Sequence, residues 1–161
     1  MSKLFVDDIV EKTSGHRVLI PGHVVQVIQS TYDTQETSTS STFANTSFVG
    51  TITPSSSTSK VLALCQVALM SYATSGQTNR GKGRLYRDAN NISGDIVAGG
   101  YNYGGSGVLI NHTAALNWLD SPATTSATTY TFQIAHINGS QTRLNYGADV
   151  DSHMILMEIA Q

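Results

Sequence analysis

Ser47–Met70 reads SFVGTITPSSSTSKVLALCQVALM, and this stretch decides the fold. Phe48, Val49, Thr51 and Ile52 are β-branched or aromatic, the types that fit a pleated surface. Pro54 ends that strand, because it cannot donate to a ladder. The loop Ser55–Ser59 is small and hydroxyl-rich, suited to local bonds with the backbone. The most apolar run of the chain follows, Val61–Met70. One face holds Val61, Ala63, Cys65, Val67 and Leu69; the other holds Leu62, Leu64, Gln66, Ala68 and Met70. Both faces are mostly apolar, which predicts a strand covered on two sides, by a partner sheet and by a neighbouring subunit.

The rest of the chain repeats the theme. Val24–Asp33 alternates as a strand, and Thr34–Asn45 is an edge-like strand or loop. Ser71–Gly83 reads as a loop, and Arg84–Arg87 as a short strand with Leu85 and Tyr86 on opposite faces. Asp88–Gly94 is a turn region, and Gly99–Gly107 a glycine loop. Val108–Leu119 is a strand with Val108, Ile110, His112 and Ala114 on one face, broken by Asp120-Ser121-Pro122. Thr128–Ile137 puts Tyr130, Phe132, Ile134 and His136 on one face. Asn138-Gly139 is the strongest hairpin turn signal, and Met154–Ala160 closes the chain as a buried strand. No stretch carries a capped helical period. The expected fold is all-β: an antiparallel β-sandwich, a jelly roll of about eight to ten strands.

Residues 1–23 stand apart from this domain, 24–161. They concentrate the scarce charges, and Leu4, Val6, Ile9, Val18 and Ile20 form short apolar segments around Thr13-Ser14-Gly15. An arm this small cannot bury itself alone. It reads as an attachment segment that docks on a partner or on other copies.

The 161 residues suit one domain. Charged residues are only 12%, and the net charge is −2. The sequence shows no basic stripe, which argues against nucleic acid as the main partner. No apolar run is long enough to span a bilayer as a helix, and no signal peptide is visible, so membrane insertion is not expected. The single cysteine, Cys65, reads as a small buried hydrophobe.

Several motifs resemble functional signatures and fall short of them. Gly76–Lys82 has P-loop spacing, but Gly83 stands where a hydroxyl should hold Mg²⁺, and no helix follows. Asp149, Asp151 and His153 alternate as metal ligands on a strand would, without further ligands nearby. His112 and His136 lie in strands, and no G-x-S-x-G elbow or marked carboxylate pair points to hydrolysis. Four N-x-S/T sequons begin at Asn45, Asn91, Asn111 and Asn138, as chance predicts in so Asn/Ser/Thr-rich a chain. No cofactor and no enzymatic activity are expected. Tyr101-Asn102-Tyr103, in the glycine loop, is the best candidate for a receptor or glycan contact, pairing flat rings with polar atoms.

TITPSSSTSKVLALCQVAL (51–69), LDSPATTSATTYTFQIA (119–135) and the closing LMEIA (156–160) resemble a domain of structural proteins in tailed bacteriophages of marine bacteria and cyanobacteria. The resemblance covers 24–161 and implies a fibre, appendage or capsid-decoration subunit. It also implies a trimeric jelly roll similar to the tumour necrosis factor-like fold. The expected partners are therefore other copies in a homotrimer, other virion proteins, and a host surface glycan. The expected location is the virion. A capsid cement protein and a soluble lectin are the alternatives, with a polysaccharide depolymerase as the enzymatic one.

Overall fold

A computed structural model describes residues 20–73, 78–101, 107–147 and 149–161, with the backbone alone for Tyr101. Its strands are β1 (Val24–Tyr32), β2 (Glu36–Ser38), β3 (Ala44–Ile52), β4 (Lys60–Ala73), β5 (Thr78–Arg87), β6 (Asn90–Asn91), β7 (Ile96–Tyr101), β8 (Val108–Asp120), β9 (Thr128–Asn138), β10 (Gln141–Leu144) and β11 (Ser152–Ile159). All pairings are antiparallel.

The strands form two sheets. In the first, β10 and β11 lie end to end along one edge of β4, with β2 and β1 end to end beyond them, and β8 lies on the other edge of β4. The second runs β3, β9, β5, with β6 and β7 sharing the far edge of β5. Each sheet thus has four rows. The connectivity is that of one long hairpin wound into a roll. Along the hairpin, β1 pairs β11, β3 pairs β9, β4 pairs β8 and β5 pairs β7. Winding adds the β11–β4 and β9–β5 pairs. This is a jelly roll.

The winding decides two connections and corrects the hairpin reading of Asn138-Gly139. Ser47–Met70 crosses the sandwich, because β3 and β4 lie in different sheets. Asn138-Gly139 likewise carries the chain from β9 to β10 across the sandwich. Glycine is required there for another reason: its φ is +98°, and a Cβ would sit 2.7 Å from the Tyr72 carbonyl oxygen.

The core lies between the sheets. Val61, Ala63, Cys65, Val67 and Leu69 of β4 are at most 2% exposed. They meet Phe48 and Ile52 of β3, Leu85 of β5, and Tyr130, Phe132 and Ile134 of β9. Each large side chain so buried contributes roughly 1.5–3 kcal/mol. One long side of the sandwich is closed by side chains of β1 on carbonyls of the other sheet's edge. Gln26 Nε2 donates to Thr53 O (2.7 Å) and Ser30 Oγ to Val49 O (2.5 Å).

The largest departure from the sequence reading is Ser71–Gly83. It is mostly strand: β4 continues to Ala73, and β5 begins at Thr78. Gly81 and Gly83 point inward, where a Cβ at 81 would meet Thr142 Oγ1 at 2.5 Å and one at 83 would meet Phe132 Cζ at 2.3 Å. These glycines make room for Thr142 of the opposite sheet and for Phe132 of the neighbouring strand β9. Gly83→Ala is expected to destabilise the protein by about 1–3 kcal/mol through overpacking against Phe132. Urea unfolding followed by circular dichroism checks it, and an unchanged midpoint would show that Phe132 moves aside freely.

Candidate interaction surfaces

The outer face of the first sheet is built by the odd residues of β1 and β11, the even residues of β4 and the odd residues of β8. Backbone register places Val27, Met157, Leu62 and Leu119 in one row across all four strands. The next row is Gln29, Ile155, Leu64 and Asn117; the third is Thr31, His153, Gln66 and Ala115. Val27 is 54% exposed and Leu119 52% exposed. Leu62, Leu64, Ala68, Ile155 and Met157 are half-buried. These rows hold no Lys, Arg, Asp or Glu. The predicted partner sheet therefore covers one face of β4, and within one chain the other stays largely open. At its far end the chain leaves the ladder after β10, at Asn145, and rejoins at Ser152. Tyr146 and Val150 of this excursion border a hollow with Ala68, Met70, Asn111 and Thr113. Met70 is buried there, at 1% exposure.

The outer face of the second sheet is different. Inward glycines alternate on β5 with outward Arg80, Lys82, Arg84 and Tyr86. Arg84 Cζ lies 3.9 Å from the centre of the Phe43 ring and 5.4 Å from that of Tyr86, and Lys82 Nζ lies 4.5 Å from the Phe43 centre. Arg84 Nε donates to Gln133 Oε1 (2.7 Å), and Gln133 Nε2 donates to Asn45 Oδ1 (2.6 Å). None of the three cations pairs with a carboxylate among the described residues. The sequence reading, which found no basic stripe, missed this one. Its signal is the period-2 spacing Arg80, Lys82, Arg84, which a loop over Ser71–Gly83 and a strand starting only at Arg84 split in two.

No protein-family model matches the chain, and no curated protein matches it. Among solved structures, that of infectious bursal disease virus Gx strain matches at 12% identity, with a TM-score of 0.27, over 96% of this chain. The chain spans 41% of the length of that chain.

The remaining expected sites fall as follows. Ile20, 54% exposed, immediately precedes the turn into β1. Leu4, Val6, Ile9 and Val18 lie outside the described residues, as do Asn102, Tyr103 and the Tyr101 side chain; the Tyr101 backbone ends β7. Asp151 Oδ1 is 3.2 Å from His153 Nε2, while Asp149 sits in a turn with φ +62° and shares a shallow hollow with Asp33 and Asp151. The three residues are thus not on one strand face. Among the described residues, no group of three or more His, Cys, Asp and Glu is arranged to hold a metal ion.

Cys65 faces the core, and burial pushes its thiol up to about 12, which keeps it protonated and unreactive at neutral pH. His112 and His136 face inward, each with one buried ring nitrogen that has no hydrogen-bond partner. No hydrogen bond joins either imidazole to a carboxylate among the described residues. Leu116 and Trp118 share the inner face of β8 with His112, since all three pair with inward residues of β4.

Proposed function

We propose that this chain is a structural protein of a virion, a homotrimeric fibre- or knob-like appendage of a tailed bacteriophage. It self-associates through the outer face of its first sheet. The arm 1–23 attaches it to the particle, and the second sheet faces outward to host surface glycans. The observation that carries the reading is the face itself. It offers Val27, Met157, Leu62 and Leu119 in one row and Ile155 with Leu64 in the next, with no charge among them. Exposed apolar patches of this kind mark contact sites, and soluble homo-oligomers close by cyclic symmetry. Three copies are what the resemblance of the sequence to phage appendage domains implies. A capsid cement protein would use the same face against the shell.

Light scattering on the purified protein should give a mass of about 52 kDa, three copies of a 17.2 kDa chain. Leu62→Asp combined with Leu119→Asp places two unpaired carboxylates in the contact and should yield monomers with unchanged β-sheet circular dichroism. A wild-type monomer, or a variant that stays trimeric, would overturn the self-contact. Antibody labelling of purified particles tests the virion location separately.

A further inference from the structure

We propose that the outer face of the second sheet is a binding surface for a linear acidic polysaccharide, with the Arg84 guanidinium as its central contact. The inference rests on the outward, host-facing orientation of that sheet for the source of the polymer, but its chemistry stands on the sheet alone. Side chains two apart on a strand recur about every 6.7 Å, so Arg80, Lys82 and Arg84 form a straight row of cations along β5. The row suits an extended chain of repeating anions rather than a single small one.

Arg84 is held in place before any ligand arrives. Its guanidinium stacks on Phe43, its Nε is bonded to Gln133, and Gln133 is in turn fixed by Asn45. The inward edge of the fork is thereby used, and no hydrogen bond occupies its two terminal nitrogens among the described residues. Such a fork accepts a carboxylate or sulfate with two parallel bonds and little ordering cost. The same Phe43 ring steadies Lys82. Around the Arg84 end of the row lie groups that match sugar hydroxyls: Asn45, Gln133 and Thr131 on neighbouring strands.

Two observations favour a polysaccharide over nucleic acid. Phe43 and Tyr86 each already carry a cation over the ring, which competes with a base for that face. Three cations on a chain of net charge −2 also make a weak phosphate track.

The test uses the full chain and fluorescently labelled polygalacturonate, with dextran, dextran sulfate and poly(dT) of similar length in parallel, followed by anisotropy at two salt concentrations. Polygalacturonate or dextran sulfate should bind and dextran should not, with affinity falling as salt rises. Preference between the two acidic polymers assigns the anion as carboxylate or sulfate. Arg84→Ala should weaken binding at least about tenfold, and Arg84→Lys should restore only part of it, because an ammonium makes no fork. Arg80→Ala, at an exposed position with no described bond, should weaken binding severalfold without touching the fold, which covers the case in which Arg84→Ala unfolds. Equal binding of dextran, tighter binding of poly(dT), or no binding to any acidic polymer would overturn the proposal. Light scattering on the same samples reports the oligomeric state, so loss of the trimer and loss of the binding surface are read independently.

Discussion

Asp120→Ala is expected to cost about 3–5 kcal/mol of stability, the largest effect of any single polar side chain in this protein. Asp120 ends β8, in the first sheet. Its Oδ2 accepts Arg87 Nη1 (2.5 Å) and the Tyr130 hydroxyl (2.7 Å), both from the second sheet. One carboxylate oxygen therefore ties the two sheets together. The Arg87 side chain is 20% exposed, that of Asp120 9%. Tyr130 is fully buried, and its hydroxyl is pushed far above its ordinary range by burial first, then by its hydrogen bond to Asp120 and that residue's charge. It stays protonated and keeps donating. Removing the carboxylate strands a guanidinium and a phenol in the core, and that desolvation sets the size of the loss.

An apolar replacement of the whole group is the control. Breaking a buried pair is costly, whereas replacing the whole group by apolar residues is often neutral. The triple variant Asp120→Leu, Arg87→Met, Tyr130→Phe should therefore recover most of what Asp120→Ala loses. Urea unfolding at one fixed protein concentration measures both, because self-association would make stability concentration-dependent. An Asp120→Ala protein within about 1 kcal/mol of wild type would mean that Arg87 swings into water on losing its partner, since exposed ion pairs are worth no more than that.

Asp120 also shows where sequence reading runs out. As Asp120-Ser121-Pro122 it looks like a strand breaker, and it does stand at the end of β8. Nothing local says that Arg87 and Tyr130 converge on it, because the convergence is made by winding the hairpin into a roll. The period-2 pattern did reveal what each strand does by itself. Val61, Ala63, Cys65, Val67 and Leu69 pack inward as the alternation requires, because a register slip of one residue would turn this whole set out of the core. The apolar second face of β4 was legible too, and it lies on the open outer face of the first sheet. What misled was composition. Ser71–Gly83 is rich in Ser, Gly, Thr and Asn, so it resembles a loop, yet Gly81 and Gly83 are strand positions emptied for Thr142 and Phe132. Thr142 of the opposite sheet explains the first and Phe132 of the neighbouring strand β9 the second, and a loop over Ser71–Gly83 hides the row that Arg80 and Lys82 form with Arg84.

Glu158 supplies the second large effect, and it depends on pH. The side chain is fully buried at the inner face of β11. Its Oε1 accepts Ser55 N (2.8 Å) and Ser55 Oγ (2.6 Å), and its Oε2 accepts Gln26 Nε2 (2.6 Å). Burial pushes the carboxyl's pKa up, but the bonds from Ser55, Gln26 and Ser59 outweigh it and bring it from the ordinary 4.5 down to about 2. A carboxylate depressed in the folded state stabilises the fold above its unfolded value and ceases to do so as pH falls through its folded value. Here that is about 3 kcal/mol, present at pH 5 and above and lost between roughly pH 4.5 and pH 2. In Glu158→Gln the amide oxygen can still receive Ser55, but its NH₂ then faces the Gln26 amide. Gln26 can turn its oxygen to meet it only by giving up Thr53 O, and with it one of the stitches between the sheet edges. The variant should therefore be less stable than wild type at pH 7 by about 1.5–3 kcal/mol, the worth of bonds to a charged group. The gap should narrow steadily below pH 4.5, as the wild type takes up the proton that the amide never needs. Unfolding free energies measured for both proteins from pH 7 to pH 2 decide the matter: two parallel curves would show that the Glu158 carboxyl does not set the acid stability of this sandwich.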